Sequence, residues 1–213
     1  MIQGVALDLD GTVYRSGREL PGAAQTVRML REAGLSVVFA SNNPTVSCED
    51  YAGRLSRLGI PATPDDMVTS GAVTARWLRD HHPLASVLLV SEPVLRTELE
   101  RAGVLITGDP LAADVVVVSF DRTFDYSKWT AAFTALRGGA LFVATNPDVT
   151  CPIQGGEVPD CGGIIAALEV STGRSLDVVV GKPSQIMASA VLNRLGAAPL
   201  EGRQAAVGIG MAA

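Results

Sequence analysis

Short apolar blocks separated by turn residues run the length of this chain, and their spacing alternates between that of strands and that of helices. Ile2 to Leu9 is an apolar run ending at Asp10-Gly11, the pattern of a buried strand followed by a turn. Pro21 to Ala33 carries Ala23, Val27, Leu30 and Ala33 at helical spacing and stops at Gly34. Leu35 to Ala40 predicts a second strand, halted by Ser41-Asn42-Asn43-Pro44, and Cys48 to Leu58 a second helix closed by Gly59. The order β-α-β-α argues for a parallel sheet with right-handed crossovers.

A second unit of the same kind begins near position 80. Val87 to Val90, Val115 to Ser119 and Leu141 to Ala144 predict strands. Pro93 to Ala102, Tyr126 to Leu136 and Asp160 to Ser171 predict helices, the last opening on a Gly-rich turn. The final stretch repeats the strand–turn–helix order of the first residues. Leu176 to Val180 predicts a strand, Gly181-Lys182-Pro183 a turn, Ser184 to Leu195 a helix, and Gln204 to Val207 the start of another strand. The fold class expected is α/β, a Rossmann-like parallel-sheet core interrupted by an inserted α/β domain. The core takes residues 1–80 and 177–213 and the insert residues 81–176.

Composition narrows the function. With 213 residues, 47% apolar and 18% charged, the chain can build a sizeable core and wholesale disorder is excluded. A net charge of -5 and 5% aromatics leave neither a basic field nor stacking platforms, so no nucleic-acid partner is expected and any anion must be held locally. No apolar stretch approaches a membrane span, and the first residues carry no basic lead before Asp8, so neither membrane nor export is expected. Three cysteines, Cys48, Cys151 and Cys161, without CxxC spacing fit reduced thiols in a cytoplasm. Adjacent His81 and His82 point apart and read as helix-end residues rather than zinc ligands.

Three motifs carry chemistry. Asp8 and Asp10, at i and i+2 near the end of the first strand, are expected on one face at the edge where open α/β sheets bind ligands. Two neighbouring carboxylates suit a nucleophile paired with an acid/base and a Mg²⁺ ion; an Asp-Gly turn with an incidental Asp is the plainer alternative. Ser41-Asn42-Asn43 could grip phosphate oxygens, or form a turn capping the next helix. Lys182, after the strand Leu176 to Val180, could neutralise the carboxylates and an incoming phosphate, or be a solvated surface lysine. All three follow predicted parallel strands in order, and together they predict one anion pocket.

Asp8-Leu9-Asp10-Gly11-Thr12, Ser41-Asn42-Asn43-Pro44 and Gly181-Lys182-Pro183-Ser184 resemble the first three motifs of the haloacid dehalogenase-like phosphatases. Asp121-Arg122-Thr123 and Ala144-Thr145-Asn146-Pro147-Asp148 resemble its branch with a large α/β cap, which includes NagD-like and 4-nitrophenyl phosphatase-like enzymes. The resemblance implies that Asp8 takes the phosphoryl group as an aspartyl-phosphate and that Asp10 protonates the leaving alcohol and then activates water. It implies that Lys182 holds nucleophile and phosphate, and that Gly11, Thr12, Ser41, Asn42 and Asn43 bind the phosphorylated substrate. Mg²⁺ is implied on the Asp8 carboxylate and the Asp10 carbonyl.

Within the insert, Asn146 and Asp148 follow a strand and are candidates to face the substrate, a turn being the alternative. Cys161-Gly162-Gly163 reads as a close-packing turn and not as a catalytic thiol. Lys128 and Trp129 read as surface and packing residues of a helix. Small phosphomonoesters such as sugar phosphates, nucleoside monophosphates, phosphoglycolate or pyridoxal phosphate are the substrates implied.

The family's acidic fourth motif is the departure. Ile209, in Gly208-Ile209-Gly210, stands where the resemblance expects an Asp, and the last core strands are missing, so the core is expected to be incomplete at the C-terminus. Metal affinity would fall, and uncovered apolar sheet would favour a homodimer or lower stability. A phosphate-binding relative without full activity, and a phosphotransferase using the same intermediate, are the alternatives to a phosphatase.

Overall fold

A computed structural model describes residues 2–15 and 17–196. The expected strand at Gln204 to Val207 and the position of Ile209 lie outside the described residues. The chain divides into two compact α/β units.

The first unit comprises residues 2–41, 48–69 and 187–196. Its sheet is three parallel strands in the order β1 (Gly4–Asp8), β4 (Ser36–Ser41), β5 (Met67–Thr69). Between β1 and β4 come a small antiparallel pair, β2 (Tyr14–Arg15) with β3 (Arg18–Glu19), and helix α1 (Ala23–Glu32). Helix α2 (Cys48–Arg57) and a single 3₁₀ turn at Pro64–Asp66 lead into β5, and α7 (Gln185–Arg194) closes the described part. Strand β4 is apolar from Val37 to Ala40 because it is the middle strand, covered on both faces. Gly4 has no room for a side chain, since a Cβ there would meet the Leu195 side chain at 2.7 Å.

The second unit comprises residues 42–47 and 70–186. It holds five parallel strands in the order β12 (Val178–Val179), β9 (Leu141–Ala144), β8 (Val115–Val118), β6 (Ser86–Val90), β7 (Leu105–Thr107). Helices α3 (Ser70–His81), α4 (Pro93–Arg101), α5 (Tyr126–Arg137) and α6 (Cys161–Thr172) and an antiparallel hairpin, β10 (Thr150–Ile153) with β11 (Gly156–Pro159), complete it. Leu88 and Val90, Val116 and Val118, Phe142 and Ala144 lie two residues apart on one sheet face. They bury against Ala132, Ala135 and Leu136 of α5 and Ile164, Ile165 and Leu168 of α6. On the opposite face Val87, Val115, Val117 and Val143 are buried and Leu89 is partly buried, so both faces are covered and the strands read as apolar runs.

The parallel α/β architecture is as expected; the differences are local. The strand expected over Ile2 to Leu9 ends at Asp8. The strand expected over Leu176 to Val180 is two residues long and pairs with β9, so it extends the second sheet, not the first. Strand β5 escapes periodicity because it has only three residues, all buried. Helix α3 opens on Ser-Gly-Ala, whose small side chains give no amphipathic signal, although Val73 and Leu78 are buried. No helix among the described residues is long and apolar enough to cross a membrane.

Candidate active site

Asp8 is the last residue of β1 and pairs in register with Ala40. The chain bends at Leu9, whose side chain is fully buried, and folds back. The Leu9 carbonyl accepts from the amides of Thr12, Val13 and Tyr14 at 3.3, 3.0 and 3.2 Å, and the Gly11 amide donates to the Tyr14 carbonyl at 2.8 Å. Gly11 sits at φ 82°, a left-handed conformation that glycine adopts without steric cost. Asp8 thus ends the strand and Asp10 follows the bend, and the amides of Gly11 and Thr12 are engaged within the loop itself.

Both carboxylates bear on one hydroxyl. Tyr14 is pushed up to about 12, first by burial and then by the charge of Asp10, with Asp8 adding less and Arg54 opposing. Arg54 donates to Tyr14 Oη at 3.3 Å, and its guanidinium lies 5.6 Å and 5.5 Å from the ring centres of Tyr14 and Tyr51. The Tyr51 hydroxyl sits 3.1 Å from Ser41 Oγ, and both residues are buried. Burial raises the Tyr51 hydroxyl far above its ordinary range, so it stays protonated. Sequence reasoning passed over Tyr14, Tyr51 and Arg54. The one local signal was the i, i+3 spacing of Tyr51 and Arg54, which puts both on one face of α2.

The other expected residues lie in the second unit. The Asn42 side chain accepts from the Lys182 amide at 2.7 Å and donates to Asp148 Oδ2 at 2.9 Å and to the Lys182 carbonyl at 3.1 Å. The Asn42 carbonyl accepts from Ser70 Oγ at 2.6 Å and from Asn146 Nδ2 at 2.9 Å. Asn146 is fully buried, and its side chain also bonds Asp160. Asn43 Oδ1 accepts from the amide and hydroxyl of Thr45 at 2.9 and 2.7 Å, a local turn. Thus Asp8, Asp10 and Ser41 belong to one unit, and Asn42, Asn43, Asn146, Asp148 and Lys182 to the other.

Asp160, not singled out by its type or spacing, caps α6 by accepting from the Cys161 amide. It is 5% exposed, and burial, with the charge of Asp148 adding, raises its carboxyl to about 6. Burial also pushes the Cys161 thiol up, which leaves it protonated and unreactive at neutral pH. A Cβ at Gly162 would meet the Asp148 carbonyl at 2.9 Å, so the glycine lets α6 approach that loop.

In the second sheet the connections diverge between β6 and β8, the place where open α/β sheets form a crevice. The residues following those strands are tied to one another. Arg122 donates to both carboxylate oxygens of Glu92, at 2.6 and 2.7 Å. Lys128, expected on the surface, instead donates to Asp121 Oδ2 at 2.6 Å, Thr123 Oγ1 at 2.7 Å and the Ser91 carbonyl at 3.2 Å. Those three contacts engage all three ammonium hydrogens, because a carboxylate fully buried at Asp121 needs a cation beside it.

A family model described as haloacid dehalogenase-like hydrolase matches residues 5–105. The sugar-phosphatase AraL of Bacillus subtilis (strain 168) is 37% identical over 193 residues, spanning 91% of this chain and 71% of that protein. The chain belongs to the haloacid dehalogenase-like hydrolase family. Solved members of similar structure include the 4-nitrophenylphosphatase of Thermotoga maritima, with a TM-score of 0.86 at 35% identity, covering 92% of this chain and 74% of that one. The p-nitrophenyl phosphatase of Archaeoglobus fulgidus gives a TM-score of 0.87 at 35% identity, covering 92% and 75%. Within this family frame, the Asp8–Asp10 loop stands at the carboxyl edge of a parallel sheet, where α/β folds carry their chemistry.

Proposed function

We propose that this haloacid dehalogenase-like phosphatase hydrolyses a small phosphomonoester, such as a sugar phosphate, through an aspartyl-phosphate on Asp8. The observation that carries the reading is the bend at Leu9. It sets two carboxylates at one strand end, both acting on the Tyr14 hydroxyl. The Asp8 carboxylate attacks phosphorus, a P–O bond forms to it, and the bond to the leaving oxygen breaks. Asp10 gives that oxygen a proton, then takes one from the water that cleaves the acyl phosphate. Lys182 supplies positive charge to the phosphoryl oxygens. Ser41, with its hydroxyl oriented by Tyr51, contributes a further polar contact to them.

The donors present suit Mg²⁺. Asp8 and Asp10 offer hard oxygen ligands, and among the described residues no group of three or more His, Cys, Asp or Glu forms a metal cage. Mg²⁺ commonly keeps several waters and takes one or two carboxylates plus a substrate phosphate. The Asp8 carboxylate and the Asp10 main-chain carbonyl would hold it. Once bound, it would supply charge neutralisation at the phosphoryl oxygens.

Hydrolysis of 4-nitrophenyl phosphate, with Mg²⁺ and with chelator, tests the reading. Chelator-sensitive turnover that vanishes in Asp8→Asn is the expected result. Turnover that survives Asp8→Asn overturns the covalent route, and turnover indifferent to chelator overturns the metal assignment.

A further inference from the structure

The Asn42 amide has a fixed orientation and no hydrogen left to give. One face of its polar group meets a donor, the Lys182 amide at 2.7 Å. The other meets two groups that can only accept, the Asp148 carboxylate at 2.9 Å and the Lys182 carbonyl at 3.1 Å. The oxygen must therefore face the Lys182 amide and the nitrogen the two acceptors, and both nitrogen hydrogens are used. The pairing grips the main chain of Lys182 at its N–H and its C=O together, much as a neighbouring strand would.

The surroundings are built for this approach. Gly181 precedes the lysine, and a Cβ there would meet Asn42 Oδ1 at 2.6 Å and would also strike the Thr145 carbonyl. The Gly181 amide donates to that same Thr145 carbonyl at 2.8 Å, so the segment entering Lys182 is anchored on the end of β9. Asn42 is held in turn through its own carbonyl by Ser70 and by the buried Asn146.

We propose that Asn42 is a positioning residue for Lys182, with Asp148 setting the orientation of its amide, and that neither side chain binds the phosphoryl group directly. The inference rests on the phosphatase reading in giving Lys182 a part in the reaction. The hydrogen-bond count replaces the expectation that Asn42 grips phosphate oxygens: an amide whose two hydrogens are engaged donates to a third acceptor only by releasing one. Asp148 fixes that amide, because a carboxylate beside the Asn42 nitrogen excludes the flipped orientation.

The test compares the full chain with Asn42→Ala, Asp148→Asn, and the double variant Asn42→Asp with Asp148→Asn, using 4-nitrophenyl phosphate. Misplacing a charged group by about 1 Å costs on the order of 100-fold in rate. Asn42→Ala should therefore lower kcat by about that factor, with KM changed by less than about threefold, as expected for a group acting through geometry. The double variant keeps an acceptor for the Lys182 amide but sets a carboxylate oxygen against the Lys182 carbonyl, so it should recover little of the loss, and full recovery would overturn the grip on that carbonyl. Repeated in a Lys182→Met background, Asn42→Ala should cost almost nothing more.

Amide hydrogen exchange gives a second readout. The Lys182 amide should lose protection in Asn42→Ala, while the Val117 amide in the central strand β8 of the second sheet keeps it. A rise in KM at unchanged kcat, an equal loss in the Lys182→Met background, or a Lys182 amide still protected in Asn42→Ala would each overturn the proposal. Wild-type turnover in Lys182→Met would instead remove the lysine from the functional reading, and the exchange measurement would still decide whether Asn42 clamps it.

Discussion

Replacing Asp160 by Asn should make the protein more stable at neutral pH and remove part of its pH dependence. Asp160 is 5% exposed, and its carboxyl is raised from 3.8 to about 6, by burial first, with the charge of Asp148 adding and the hydrogen bonds from Cys161 and Asn146 opposing. The folded state therefore holds this proton to a higher pH than the unfolded chain does. The stability that the protonated carboxyl contributes is complete below pH 3.8, is lost as pH rises through about 6, and stays lost above that. Two pKa units correspond to about 3 kcal/mol. Asn removes the charge, and it caps a helix N-terminus about as well as Asp.

The assay is urea unfolding of both proteins from pH 4 to pH 8, reading the difference between them so that the other carboxylates cancel. Near pH 4 the two should match. By pH 7.5 Asp160→Asn should lead by up to about 3 kcal/mol, or roughly 6–12 °C in Tm for a chain of this size. A difference that stays flat across the range, or a variant less stable at pH 7.5, would refute the reasoning.

Other outcomes follow from single contacts. Lys128→Met leaves the buried Asp121 carboxylate without its cation and should cost about 3 kcal/mol in urea unfolding, and adding Asp121→Asn should return part of that. Tyr51→Phe removes the 3.1 Å contact to Ser41 and should lower stability by about 1 kcal/mol in the same assay. Phe142→Ala opens a cavity in the apolar core of the second unit, where the ring is fully buried, and should cost about 3–5 kcal/mol, seen as a lower Tm.

What the sequence determined by itself is local. Apolar spacing marked β4, β6, β8 and β9 and helices α1, α2, α4, α5 and α6, because a strand or helix must present its buried face at its own period. The Asp-Gly pair after β1 and the Asn-rich stretch after β4 announced turns at strand ends, and the three-motif resemblance gave the family. Tertiary structure decided whatever depends on residues distant in the chain. Asn42 meets Asn146, Asp148 and Lys182 across separations of 104, 106 and 140 residues, which no periodicity encodes. The two-residue β12 pairs with the second sheet although its strand–turn–helix order repeats that of the first residues. Leu9 is driven into the core, and its carbonyl gathers the amides of Thr12, Val13 and Tyr14, which turns the chain back after Asp10. In each case burial and long-range hydrogen bonding, set by which segments fold against one another, outweigh the preferences of neighbouring residues.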